Sequence, residues 1–549
     1  MEFSLLDAMH NLFLGELRHH CRNVWGINDK ENYAKSGGVT AHSPEEQKIW
    51  LERVVNSLKK GSSISRVRRG YIVAIGQLNG VLPPSCNWTK DKCIKVLVKW
   101  WGNGHASGIQ IPPVLSEPTA DFHLVEGEHM RRTYVLDQPT LAQIRKDIGA
   151  TYLPSWLERP PRNFGSASHG KLKADHWRTV CTVSMVITLV RLWGSAGSTQ
   201  KEKLLLENFV HLVSAVKLAT RRSVDLDRIA EFDHHMKAYL DTLATLFPWH
   251  QLVPNHHLSL HLRECLERFG PVHAWWAFPF ERFNGVLQRL NTNSKSNAMP
   301  LTFMRYFYLG ANVRWVMATT EWPDEGPFRN MMQAFEETFR DAARGTRVAD
   351  VHPIAKFAID TEEFAYNEKA ATDLPRDVYE KLLSCISRTK GPSYASLFAP
   401  LSDNRPRLST LAQHVSTVKH HGLSFATAGR RKGDSFILFD DDTGNEHARP
   451  SPRAGQIEDI ILHVRVENGK RTVEPFFMVA EFTPLADNHV AVDPFRQFPG
   501  VETRLCYARC KQDRALIALS DIRAHFAAYI YEPAEIGENC IVVCSLDRS

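Results

Sequence analysis

The chain has 549 residues, of which 43% are hydrophobic and 23% charged, a balance that excludes a largely disordered polypeptide and leaves room for about three or four domains. Its net charge of +6 is modest for that length, so a polyanionic partner is permitted but not demanded. Ten scattered cysteines do not form a disulfide scaffold, no secretory leader is recognisable, and the longest apolar run, Val180 to Trp193, is too short and interrupted to span a bilayer. These features predict a reducing compartment and no membrane partner.

Taken in order, Leu6, Met9, Phe13 and Leu17 form an apolar stripe, so the chain opens in a helix. On it Asp7 and His10 are three apart and point the same way. A carboxylate there can fix one imidazole tautomer; the plainer alternative is a local hydrogen bond closing the helix. Ser43 and Glu46 have capping-box spacing ahead of a helix running towards Leu58. Lys59, Lys60, Arg66, Arg68 and Arg69 then cluster in a short Ser/Gly-containing stretch, suited either to phosphate contact or to a solvated loop. Lys92 to Trp101 mixes β-branched residues with lysines before Gly102, Gly104 and Gly108 break regular structure, and Ile109 to Glu126 has the composition of a long connection.

Leu141 to Ile148 is a helical stretch, and after a loop at Gly165 to Gly170 the segment Lys171 to Arg178 opens a buried helix that Gly194 ends. Asp175 and Arg178 suit a helix-start ion pair. Thr199 and Glu202 form a second capping box, and three amphipathic helices follow, between Leu204 and Phe269, whose stripes must bury one another as a bundle. His257 and His261, four apart, could ligate a metal, but with no third ligand evident packing and hydrogen bonding are favoured.

The run Pro271 to Gly285 sets Glu281 among Trp275, Trp276, Phe278, Phe280 and Phe283, which predicts that the carboxylate lies beside a core. Glu281, Asn284 and Gln288 would share one polar helix face fit for a metal or nucleic acid; a structural pairing with Arg282 or Arg289 is the alternative. Helices are expected over Phe303 to Trp315 and Pro327 to Ala343. Residues 346–434 are expected to be a linker region with short helices, including Asp377 to Ile386, and 435–549 a β-rich module. Within that module Asn468-Gly469 signals a hairpin, Asp521 to Phe526 a helical turn, and Ile541 to Val543 a strand. Cys506 with Cys510 and Cys540 with Cys544 repeat C-x3-C, which permits structural zinc, although buried free thiols are the commoner use.

Several of these pieces together resemble the CACTA (En/Spm)-type DNA transposases in their fungal form. They are Asp7-x-x-His10 followed by Gly15; Leu153-Pro154-Ser155 followed by Gly170-Lys171-Leu172-Lys173-Ala174-Asp175-x-Trp177-Arg178; and His257-x-x-x-His261-Leu262 leading to Gly270-Pro271-Val272 and Phe278-Pro279-Phe280-Glu281-Arg282-x-Asn284-Gly285. The match spans residues 1–315. The resemblance implies an RNase H-like nuclease core in which three carboxylates hold two Mg2+ or Mn2+ ions, Glu281 being the last acid and Asp7 and His10 a supporting motif after the second catalytic aspartate. It also implies DNA as partner, contacted by the basic residues above together with Lys171, Lys173 and Arg178; a homo-oligomer; and the nucleus, with the cytoplasm as alternative.

Only six residues precede Asp7, so the two upstream aspartates are expected to be missing. The expected architecture is therefore a split, mainly α chain of α+β class. Residues 1–27 would be a core remnant, 28–270 a helical insertion, 271–345 the final core helices with Glu281, 346–434 the linker, and 435–549 the β module, similar to the small bromo-adjacent-homology kind. The expected function is that of a transposase-derived, DNA-binding protein without a complete nuclease site, the alternative being a host-adopted DNA or chromatin adaptor.

Overall fold

The computed structural model describes residues 5–27, 41–60, 64, 66–83, 88–102, 108–116, 118–119, 121–124, 135–166, 172–248, 250, 252–288, 298–320, 322–323, 325–339, 364–391, 393–400, 403–420, 422–440, 452–467 and 470–548. They form an α+β chain with a large antiparallel sheet in its C-terminal region. The chain divides into two compact units, one of residues 21–137 with 165–170, the other of residues 1–20, 138–164 and 171–549. Of the expected insertion domain over 28–270, residues 28–137 and 165–170 fall in the smaller unit and the others in the larger.

The smaller unit is built on α1 (Pro44–Lys60), α2 (Arg69–Leu78) and α3 (Lys90–Gly102). The Ser43–Glu46 box is formed, with Ser43 N–H donating to Glu46 at 2.8 Å and Glu46 N–H to Ser43 Oγ at 3.3 Å. Leu51, Val54, Tyr71, Ile75, Cys93 and Leu97 bury a common core. The β-branched stretch after Lys92 is helical, because Cys93 and Leu97 recur at the spacing of one helix face and packing overrides strand propensity.

The larger unit opens with a π-helix, Met9–Leu17, and then carries α4 (Gln138–Ala150), α5 (Ala174–Thr179) and α6 (Met185–Trp193), the last two joined through a π-helical turn at Val180–Ser184. The bundle follows as α7 (Gln200–Ala219), α8 (Leu226–Leu246), α9 (Pro254–Leu260) and α10 (Leu262–Phe269), with the Thr199–Glu202 capping box in place. Then come α11 (Phe278–Gln288), α12 (Met299–Thr319) and α13 (Gly326–Phe339).

The expected linker contains the helix read over Asp377 to Ile386 and, beside it, short strands. β1 (Ala371–Asp373), α14 (Arg376–Lys390), β2 (Leu411–Val415) and the hairpin β3 (Thr417–His420) with β4 (Leu423–Ala426) lie within it, and β5 (Phe436–Phe439) opens the β-rich module. Strands of three to five residues carry too little alternation to announce themselves, and β6 (Arg453–Glu467), with which β2 pairs, lies far along the chain. β6 pairs with β7 (Lys470–Pro484) along its length, Glu467 opposite Lys470, as expected of a two-residue turn; residues 468–469 lie outside the described set.

With β8 (Thr503–Cys510), β9 (Ala515–Ala518), β10 (Ile522–Tyr531) and β11 (Cys540–Ser545) the order is β1-β2-β6-β5-β10-β11-β8-β7-β9. Because β7 returns to β6, six strands close into a ring, which removes the open edges a sheet otherwise exposes. Phe436, Leu438, Phe482, Phe526, Ile541 and Val543 fill its interior. The helical turn expected at Asp521 to Phe526 ends at Asp521, and β10 begins at once with Ile522.

The C-x3-C pairs cannot join in one tetrahedral zinc site. Cys506 stands opposite Ile541, so Cys506 and Cys510 share the face of Ile541, whereas Cys540 and Cys544 are odd-numbered steps away and point to the other side. All four are free thiols, and Cys544 lies 3.9 Å from the Thr182 carbonyl.

Candidate functional site

The π-helix is held against the bundle at one close approach. A Cβ on Gly15 would stand 2.3 Å from Asn255 Nδ2 and 3.0 Å from the His10 carbonyl, so only glycine lets α9 come this near. Asn11 Nδ2 donates to the Asn255 carbonyl at 3.1 Å, and the Ser259 hydroxyl lies 2.6 Å from Glu16. Phe13 is fully buried, 6.1 Å from Phe278 between ring centres, with the Arg178 guanidinium 5.5 Å over its face. These contacts bring the entry to α11 beside the entry to the π-helix.

There Asp7, His10 and Glu281 meet. Asp7 accepts from the Ala277 N–H at 2.7 Å, across 270 residues of sequence, and from the His10 N–H at 3.1 Å. His10 Nδ1 is in hydrogen-bond contact with Asp7 Oδ2, and His10 Nε2 stands 2.9 Å from Glu281 Oε1. The result is a carboxylate–imidazole–carboxylate chain. A neutral imidazole has one ring N–H and can donate to one neighbour; the imidazolium donates to both. Asp7 therefore serves two jobs at once: it caps the first helical turn and it anchors the start of α11.

The carboxylate expected beside a core is corrected by this geometry. Trp276 is buried, but Glu281 is 53% exposed and Phe280 67%, because α11 turns outward after Phe278. Glu281 pairs with His10; the side chain of Arg282 and the whole of Arg289, the alternative partners, lie outside the described residues. Asn284 is exposed on the same helix. This arrangement does not fit a two-metal centre: Glu281 Oε1 faces His10, and both oxygens of Asp7 are engaged by nitrogen donors. Among the described residues no three His, Cys, Asp or Glu side chains are grouped to hold a metal ion.

The other sequence candidates divide by burial. Lys59, Lys60 and Arg66 are exposed in the smaller unit, where Arg69 Nε is instead spent on the Trp88 carbonyl at 3.0 Å and Arg68 is half-buried, depressing the His42 imidazole after burial has done so. Lys173 is exposed before α5, while Lys171 lies outside the described residues. Arg178 is corrected from a DNA contact to a packing residue: it is buried, pairs with Asp175 at 2.8 Å and covers Phe13. Trp177 is buried edge-on to Phe164. His257 and His261 are exposed, their Nε2 atoms 3.3 Å apart.

One cluster escaped the sequence. Beneath the π-helix Glu16 is fully buried with Oε2 3.4 Å from His256 Nε2, His19 and His250 face each other at 2.8 Å through Nε2, and His20 Nδ1 meets Tyr239 Oη at 3.1 Å. Burial pushes the Glu16 carboxyl up to about 7, against the Ser259 hydrogen bond, and pushes His19 and His256 down to about 4. The density of His19, His20, His250 and His256 was the available signal; that they converge is a property of the bundle. Among the described residues no helix is long and apolar enough to cross a membrane. Comparison of the chain with known family models, with curated proteins and with solved structures found no match to any of them.

Proposed function

We propose that this chain is a transposase-derived, DNA-associated nuclear protein of CACTA-type, RNase H-like descent that does not cleave DNA by itself. One observation carries the reading. The family resemblance makes Glu281 the last acid of a site supported by Asp7-x-x-His10, and these residues, remote in sequence, lie in direct contact through His10 Nε2 and Glu281 Oε1 at 2.9 Å. An arbitrary helical scaffold has no reason to join those three positions. In keeping with a chain that does not cut DNA, Glu281 Oε1 faces the His10 imidazole, and Asp7 is engaged by backbone and ring donors.

Two measurements on the full chain test this. Duplex binding should weaken as salt rises, as counterion release requires. Incubation of plasmid DNA with Mg2+ or Mn2+ should leave it intact; cutting that disappears in Glu281→Gln would overturn the inactivity. Binding to a histone peptide with none to DNA would replace this reading with the chromatin-adaptor one.

A further inference from the structure

The smaller unit carries a basic ridge that its own packing leaves exposed. In α3, Cys93 and Leu97 point into the core, whereas Lys92, Lys95 and Lys99 are exposed. At 3.6 residues per turn those three lysines fall within roughly 60° of the helix circumference, opposite the buried pair. Among the described residues no carboxylate pairs with any of them. Like charges at spacings of three and four cost a helix stability, so a face of this kind is unfavourable on its own.

We propose that the Lys92–Lys95–Lys99 ridge of α3 is a phosphate-backbone contact surface for duplex DNA. From Lys92 to Lys99 the helix rises about 10 Å, which matches about three phosphates of one strand at 3.4 Å each along the duplex axis. A rigid helix fits a rigid phosphate track. A single strand is the poorer partner, because it needs aromatic faces on which bases stack. The nearby aromatics are already engaged: the Lys92 ammonium lies 4.2 Å over the Trp88 ring, and Trp100 and Trp101 pack against the core. The exposed Lys59 and Lys60 end α1 in the same unit, so the phosphate contacts expected from the basic stretch extend to a second helix.

This inference rests on the DNA-associated reading above, and one experiment separates the two. Binding of the full chain to a short mixed-sequence duplex is measured by fluorescence anisotropy over a range of salt concentrations, for the intact protein, for Lys92→Gln/Lys95→Gln/Lys99→Gln, and for Lys59→Gln/Lys60→Gln. The triple variant should bind about tenfold or more weakly at low salt, and the slope of log K against log salt should shrink by about 2 to 3. Circular dichroism should be unchanged, since the three side chains are exposed; if the triple variant does not fold, Lys95→Gln alone should reduce the slope by about 0.9. An unchanged slope in the folded lysine variants, with intact protein still binding, overturns the ridge and leaves DNA association standing. Loss of single-strand binding with duplex binding retained also overturns it. No duplex binding by the intact protein overturns both.

Discussion

The β ring and the α11–α12 segment have similar aromatic densities and opposite fates. In the ring Phe436 and Phe526 are sealed, at 1% and 0% exposure; on α11 and α12 Phe280 and Trp315 are both 67% exposed, and Leu309, Tyr308 and Leu301 stand out beside them. The sheet buries its side chains because β7 returns to β6 and closes a surface on itself. Beyond Phe278 the helices have no such return among the described residues. Aromatic content therefore does not say where a core is; closure does. Glu281 sits at the change-over, paired with His10 on one side and exposed on the other.

That contrast can be broken in order of size. Phe526→Ala should destabilise the protein by about 3–5 kcal/mol in chemical unfolding, because the ring interior cannot collapse around the lost side chain. Next is Glu16→Gln. A carboxyl raised from 4.5 to about 7 contributes stability that is fully present below about 4.5 and is lost as pH rises through about 7. The variant does not titrate, so it should gain on the native chain between pH 5 and pH 8, by roughly 3 kcal/mol at most, in paired thermal unfolding at the two values. An advantage that shrinks with rising pH would refute the buried, proton-holding Glu16. Phe280→Ala should change stability by less than about 0.5 kcal/mol in the same unfolding assay; a loss comparable with that of Phe526→Ala would mean that α11 is covered.

Much of the helical organisation was legible. Both capping boxes form at the residues their spacing indicated, the bundle helices follow their apolar stripes, and Gly194 ends α6. These are local regularities, in which each residue's partner lies three or four positions away. The sheet was legible where a hairpin made it local, at β6 and β7, and in the short apolar run of β11. β1 and β2 passed for linker because β1 pairs with β2 and β2 with β6, each far along the chain and beyond any window of pattern. The thiols misled for a related reason: equal spacing along two strands says nothing about which face each strand presents, and Cys506 and Cys540 present different ones.

For the candidate site, the sequence by itself determined the parts: a carboxylate and an imidazole three apart on an opening helix, a second carboxylate in the first turn of another, and glycine at position 15. Only the tertiary structure decided their use. The close approach at Gly15 and the burial of Phe13 against Phe278 set the two helix starts side by side, so His10 reaches Glu281 and Asp7 reaches Ala277. The outward turn of α11 then decides that Glu281 faces water and an imidazole instead of a core. Spacing along a chain fixes which groups share an element; packing between elements fixes which groups meet.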